Sequence, residues 1–180
     1  MSLALVGPGL VPQAAEAATV TVTVVDFEFQ NGTVGVAQGT TVTWDFKAFH
    51  TATSHQLFWD SGFKDSGDTY SRVFNDAGSF AYFCNVHGHG MNGTIKVRVA
   101  ASAIPGGKQI RWSRTGGQKY DVQFKRRGAA TWRPFRTGVT AASAAFKPAK
   151  PGRFVFRART QNTANAQWSG WSPSKRVRVL

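Results

Sequence analysis

Apolar and polar residues alternate with a period of two over short runs along most of this chain, the signature of half-buried β-strands. Thr19-Val20-Thr21-Val22-Thr23-Val24 alternates strictly, and Val25 to Phe29 extends or bends that strand. Asn31-Gly32 turns the chain, and Thr33 to Val36 resumes an extended path before Gly39. Thr40 to Phe46 is a second strong strand, Tyr70 to Phe74 a short one, and Lys64 to Thr69 a polar loop between them. Ser79 to Cys84 climbs out of the Asp76-Ala77-Gly78 turn, and Thr94 to Val99 runs as an alternating strand. Beyond position 107 the same texture predicts strands at Gln109 to Trp112, Tyr120 to Lys125, Thr131 to Phe135, Ala144 to Lys147, Arg153 to Arg159 and Arg176 to Leu180. In the run from Arg153, Phe154, Phe156 and Ala158 face one way, and Arg153, Val155, Arg157 and Arg159 the other. No stretch carries a sustained helical stripe, so the fold class is all-β.

Charge divides this uniform pattern. The chain has 180 residues and a formal net charge of +13. Positions 19–100 hold five Lys/Arg against seven Asp/Glu, whereas 101–180 hold seventeen Lys/Arg against Asp121 alone. Two halves of one core rarely segregate charge so sharply, and the switch marks a boundary near position 100. Residues 101–107, small and containing Pro105-Gly106-Gly107, read as a linker between domains at 19–100 and 108–180. Ahead of them, residues 1–18 read as a secretory leader. An apolar run from Leu3 to Val11 precedes Ala14-Ala15-Glu16-Ala17-Ala18, an A-x-A-type cleavage site. The expected location is therefore extracellular, periplasmic or cell-surface. The apolar run is too short and too interrupted by Gly and Pro to span a bilayer.

The chemistry gathers between positions 50 and 91. That window holds the single cysteine, Cys84, all four histidines (His50, His55, His87 and His89) and Met91. An unpaired cysteine in an exported protein is odd unless a metal holds it. Thiolate and thioether favour Cu(I), imidazole accepts either copper state, and two His with one Cys and a weak axial Met form the blue-copper arrangement. We read one copper site from His50, Cys84, His87 and Met91. Zinc suits a lone Cys with a Met partner poorly. His89, two residues beyond His87 and at Cys-x₄-His spacing, is the competing second imidazole. His55 reads as a solvated loop residue. Phe49, Phe80, Phe83 and Val86 are the expected apolar shell, and the Thr51 N–H the expected donor to the Cys84 sulfur.

Residues 19–100 resemble the plastocyanin-like cupredoxins. The likeness is carried by Asp26-Phe27-Glu28-Phe29, Gly39-Thr40-Thr41-Val42-Thr43-Trp44, His50-Thr51-Ala52-Thr53, Phe58-Trp59-Asp60-Ser61-Gly62, Gly78 to Cys84, and Gly90-Met91-Asn92-Gly93-Thr94. The resemblance implies a Greek-key β-sandwich, one type 1 copper ion and one-electron transfer to a redox partner protein, with no enzymatic turnover. It implies His50, Cys84 and His87 as equatorial ligands, Met91 as the axial one, and the edge of His87 as the electron port. Three residues separate His87 from Met91, a loop length intermediate between the family's usual ones.

Residues 108–180 resemble a smaller fibronectin type III-like sandwich. Trp112 stands where that family has its core tryptophan, and Trp168-Ser169-Gly170-Trp171-Ser172 is similar to the WSxWS box seen in cytokine-receptor modules. No convincing first strand is visible, and the junction is the place from which it would be borrowed. Arg157 and Arg159 share a face on which Trp168 or Trp171 would stack. The basic excess suits an anionic cell-surface polymer or lipid headgroups rather than nucleic acid, for which no motif is present. Two other functions remain open at this point: a copper carrier or store, and a cell-surface adhesion module with a copper-binding domain.

Overall fold

A computed structural model describes residues 18–180. The leader read over residues 1–18 lies, except for Ala18, outside the described residues. Every regular element among them is a β-strand. The first lobe contains β1 (Thr19–Val25), β2 (Glu28–Gln30), β3 (Thr33–Val36), β4 (Thr40–Phe46), β5 (Thr53–Ser54), β6 (Thr69–Phe74), β7 (Gly78–Cys84) and β8 (Gly88–Val97). These form two four-stranded sheets, in the orders β2-β1-β4-β6 and β3-β8-β7-β5. Pairing is parallel between β1 and β4 and between β3 and β8, and antiparallel elsewhere.

Alternation decides what each strand buries. Val42, Trp44 and Phe46 of β4 point inward, as do Phe80, Tyr82 and Cys84 of β7 and Met91, Ile95 and Val97 of β8. Cys84 is therefore the last inward position of β7, so the period of two that builds the core also delivers the thiol to its end. Tyr82 locks the core by donating its hydroxyl to the Gly32 carbonyl at 2.9 Å. A Cβ at Gly93 would stand 2.5 Å from that same carbonyl and from the Tyr82 ring, so only glycine lets β8 pass there.

The second lobe contains β9 (Ala100–Ile104), β10 (Gly107–Arg111), β11 (Lys119–Arg126), β12 (Arg133–Val139), β13 (Ser143–Phe146), β14 (Gly152–Asn162), β15 (Gln167–Trp168) and β16 (Lys175–Val179). One sheet runs β13-β10-β9; the other runs β12-β11-β14-β15, with β16 also paired to β14. Between them lies a second core built around Trp112, Tyr120, Val122, Phe154 and Phe156.

The linker expected at 101–107 is corrected by this topology. Residues 100–104 form β9, which pairs with β10 from Ile104↔Gly107 to Ala100↔Arg111, and Pro105-Gly106 makes the turn. Alanine and serine carry too weak a hydrophobic contrast for periodicity to register, yet their backbones supply a full ladder. The strand that the sequence reading could not find in the second lobe is this one. Strand β12 also begins and ends later than the expected 131–135.

The lobes are joined by a small apolar contact and a set of hydrogen bonds rather than by a tether. Ala77 and Val99, from the first-lobe stretch, are buried in the second core. Ala77 N–H donates to the Trp112 carbonyl at 2.7 Å, and Thr160 Oγ1 donates to the Ala77 carbonyl at 2.8 Å. Tyr120 hydroxyl donates to Asp76 at 2.8 Å. Ser79 and Gly170 exchange both backbone hydrogen bonds at 2.9 Å. Next to this bridge, a Cβ at Gly78 would lie 2.5 Å from Ser169 Oγ, so the close approach of the lobes needs glycine there. Asn162 Nδ2 donates to the carbonyls of Gln56 and Leu57 at 3.0 and 2.9 Å, pinning the loop after β5.

Candidate metal centre

Three elements bring the donors together at one end of the first core. Cys84 ends β7. His50 follows β4, and its backbone exchanges two hydrogen bonds with Lys64, at 3.0 and 2.9 Å, which fixes its direction. His87 sits on the short turn from β7 into β8, closed by the Cys84↔Gly88 pairing. Potential ligand atoms of His50, Cys84 and His87 all lie within 4.8 Å of one another. The Cys84 sulfur is 3.6 Å from His50 Nδ1. Cys84 and His50 are buried and His87 is half-buried. Met91 is buried in the same core cluster as Cys84, on the neighbouring strand.

The local hydrogen bonds hold this arrangement from behind. Thr51 N–H donates to Cys84 Sγ at 3.4 Å, as the sequence reading expects. Thr51 Oγ1 accepts from the Asn85 N–H at 2.8 Å, and Asn85 Nδ2 donates to Thr53 Oγ1 at 3.0 Å. The Thr53 hydroxyl in turn donates to Asp60 at 2.9 Å and accepts from the Thr51 hydroxyl at 3.0 Å. This network ties the chain after His50 to the chain after Cys84.

The residues fit a metal ion on observations of their own. His50 Nε2 and His87 Nδ1 are buried without a hydrogen-bond partner, which is costly for an imidazole unless something else engages the ring. Burial foremost, and then repulsion from His87, holds the His50 pKa below its usual value, while Asp26 acts in the opposite sense. A neutral imidazole is the form that donates a lone pair to a metal. Asp26 Oδ1 stands 3.5 Å from His50 Nε2, a neighbour that sequence reasoning missed because aspartates are common on loops.

The remaining predicted positions separate clearly. His89 does not join the cluster: it stacks on His55 at 4.8 Å with an interplanar angle of 15°. Both rings pack on Phe83, at 4.8 Å each, so exposed His55 is less free than a solvated loop residue. Of the expected shell, Phe80 is buried, but Phe49 and Val86 face outward. Phe49 stacks on Phe63 instead, at 5.2 Å and 1°. The ring that covers His87 is Phe27, at 4.5 Å, although Phe27 is 72% exposed. Its φ of 63° aims it there, a turn conformation that periodicity does not report.

No family model and no curated protein matches this sequence. Among solved structures, the chain is similar to the oxidised form of a methionine mutant of amicyanin at 22% identity and a TM-score of 0.40, covering 48% of this chain and 86% of that one. A reduced Cu(I) form of a proline mutant of amicyanin at pH 4 gives 25% identity and 0.40, over 48% and 86%. The Cu(I) form of a second methionine mutant of amicyanin gives 25% and 0.41, over 47% and 86%. The nature of the metal rests on the donors themselves: one thiol and two imidazoles whose ligand atoms lie within 4.8 Å of one another, with the Met91 thioether in the same core, are a soft donor set that suits copper.

Proposed function

We propose that this chain is an exported one-electron carrier of the cupredoxin kind, in which His50, Cys84, His87 and Met91 would hold a copper ion. The observation that carries the reading is the convergence of a buried thiol and two imidazoles, their ligand atoms within 4.8 Å of one another, at the end of a well-packed core. Bound copper supplies a one-electron couple. Cys84 gives up its proton on binding, because a coordinating thiol is deprotonated. The Thr51 N–H then stabilises the charge on sulfur, and the Thr51–Asn85–Thr53 network keeps the ligand segments from rearranging. A fixed ligand set keeps the reorganisation accompanying each electron small. A carrier needs no nucleophile or general base, so the reading is not of a turnover enzyme.

A docking face for the redox partner is supported by the exposed apolar side chains around the ligands. Phe49 adjoins His50, Val86 adjoins His87, and Phe27 packs on His87. The second lobe is read as an accessory fibronectin type III-like sandwich. Its three-strand and larger sheets, its core Trp112 and its Arg–Trp stack support this. Its basic surface is read as the part that meets an anionic cell-surface polymer or lipid headgroups.

The test is copper loading followed by visible and EPR spectroscopy. An intense thiolate-to-copper band is expected in the native chain and in His89→Ala, and is expected to vanish in His87→Ala. A band that survives without His87 and disappears without His89 overturns the ligand assignment. Fast electron exchange with slow copper release is expected of a carrier of electrons; rapid release to a chelator would make the chain a carrier of copper.

A further inference from the structure

The basic side chains of the second lobe fall into two sets, and only one of them is used by the fold. Arg157 lies between Trp132 and Trp171, at 4.3 and 4.5 Å, and donates twice to Gln123 Oε1. Arg159 lies between Trp168 and Trp171, at 4.5 and 4.9 Å, and pairs with Asp121 at 2.7 Å. Lys125 stands over Trp132 and Arg126 over Phe154, each at 5.0 Å. These cations hold the sheet together.

Arg127, Arg153, Arg176 and Arg178 do none of this. They surround one shallow depression floored by Phe154 and Val177. Among the described residues, none of their guanidiniums makes an ion pair, a side-chain hydrogen bond or an aromatic contact. Their closeness is dictated by register. Arg153 is directly opposite Arg178 and Val155 opposite Arg176 across β14 and β16, and Arg127 N–H donates to the Arg153 carbonyl at 2.9 Å. Neighbouring strands lie about 5 Å apart and alternate residues about 7 Å apart, so these charges sit well within a Debye length of one another. The lobe's one carboxylate side chain, Asp121, is already engaged by Arg159. The mutual repulsion therefore has no compensation inside the lobe.

We propose that this end of the β14–β16 face binds an anionic polysaccharide, a sugar polymer whose sulfate or phosphate groups recur every few ångströms. This deepens, and rests on, the reading of the second lobe as the part that meets an anionic surface. A single small anion cannot satisfy guanidiniums spread along two strands, whereas a linear polyanion laid across them can. Nucleic acid recognition in single strands relies on free aromatic faces for base stacking, and the half-buried Trp132, Trp168 and Trp171 already stack on Arg157 and Arg159. The exposed Leu180 beside the patch is a single residue, too little apolar surface to seat a bilayer.

The experiment uses the full chain and four probes: a heparin oligosaccharide, inorganic phosphate, oligothymidylate of matched charge, and phosphatidylcholine–phosphatidylglycerol vesicles. Heparin binding is expected, weakening steeply with salt. Arg153→Gln/Arg176→Gln/Arg178→Gln is expected to weaken it about tenfold or more and to flatten the salt dependence. Lys108→Gln/Lys119→Gln/Lys147→Gln, with the same change in net charge, is expected to change it less than about twofold. Thermal midpoints establish that both triples fold, and Arg178→Gln alone replaces the first triple if it does not. Equal losses in the two triples mean diffuse attraction and overturn the site. Oligothymidylate or vesicles bound as tightly as heparin overturn the ligand class, as does phosphate competing at equal affinity. If the native chain binds no probe, the anchoring reading itself fails, a result distinct from all of these.

Discussion

The first lobe leaves buried polar atoms without partners, and the second lobe leaves almost none. Around Cys84, two imidazole nitrogens form no hydrogen bond, His87 Nδ1 and His50 Nε2, the latter with only Asp26 at 3.5 Å. Across the second lobe's sheet, Arg157 and Arg159 are stacked, hydrogen-bonded and, for Arg159, ion-paired. Both are clusters of functional side chains that a sequence reader would single out. The difference teaches how to separate a ligand site from a structural device: a device satisfies its own polar groups, whereas a ligand site waits for something outside the chain.

That contrast breaks most sharply at Cys84. Cys84→Ser removes the thiolate, and total loss of the copper charge-transfer band is expected, with the second lobe's tryptophan fluorescence unchanged. Next in size is Trp112→Ala, which empties the second core and should cost about 3–5 kcal/mol, read from denaturant unfolding. Because Ala77, Asp76 and Ser79 are bonded across the lobe boundary, the copper band and the fluorescence should still be lost in one transition. Two separated transitions would show that the lobes are independent.

Asn162→Ala removes two hydrogen bonds to the loop after β5 and should cost about 1–3 kcal/mol. Faster amide exchange at residues 55–58 is the check, since no other part of the first lobe loses a partner. Trp171→Ala takes one ring out of the Arg157–Arg159 stack and should cost about 1–2 kcal/mol, with the copper spectrum untouched. The smallest effect concerns acid. Burial and His89 hold the His55 pKa below 6.5, so the unfolded chain binds more protons and stability falls as pH drops below that value. His55→Ala should flatten that part of the profile of the metal-free protein.

Much of this was legible in the residues because it depends on local periodicity. The inward rows of β4, β7 and β8 follow from strict alternation, and Cys84 and Met91 are inward members of their own rows. Cys-x₂-His then needs only a tight turn to face the thiol. The Arg157–Trp171 stack was legible for the same reason, since alternate residues of β14 share a face. Trp132, its third ring, was not, because it joins from the neighbourhood of another strand.

The sequence by itself determined the all-β class, the charge division and the window that holds the candidate ligands, since each depends on residue type and short-range spacing. Only the tertiary structure chose His87 over His89, because three atoms converge only when β7, β8 and the chain after β4 meet. It turned an apparent linker into β9, because a ladder of backbone hydrogen bonds needs no hydrophobic contrast in the side chains that ride on it. It also sorted engaged arginines from free ones, since charge is a property of a residue but compensation is a property of its neighbours.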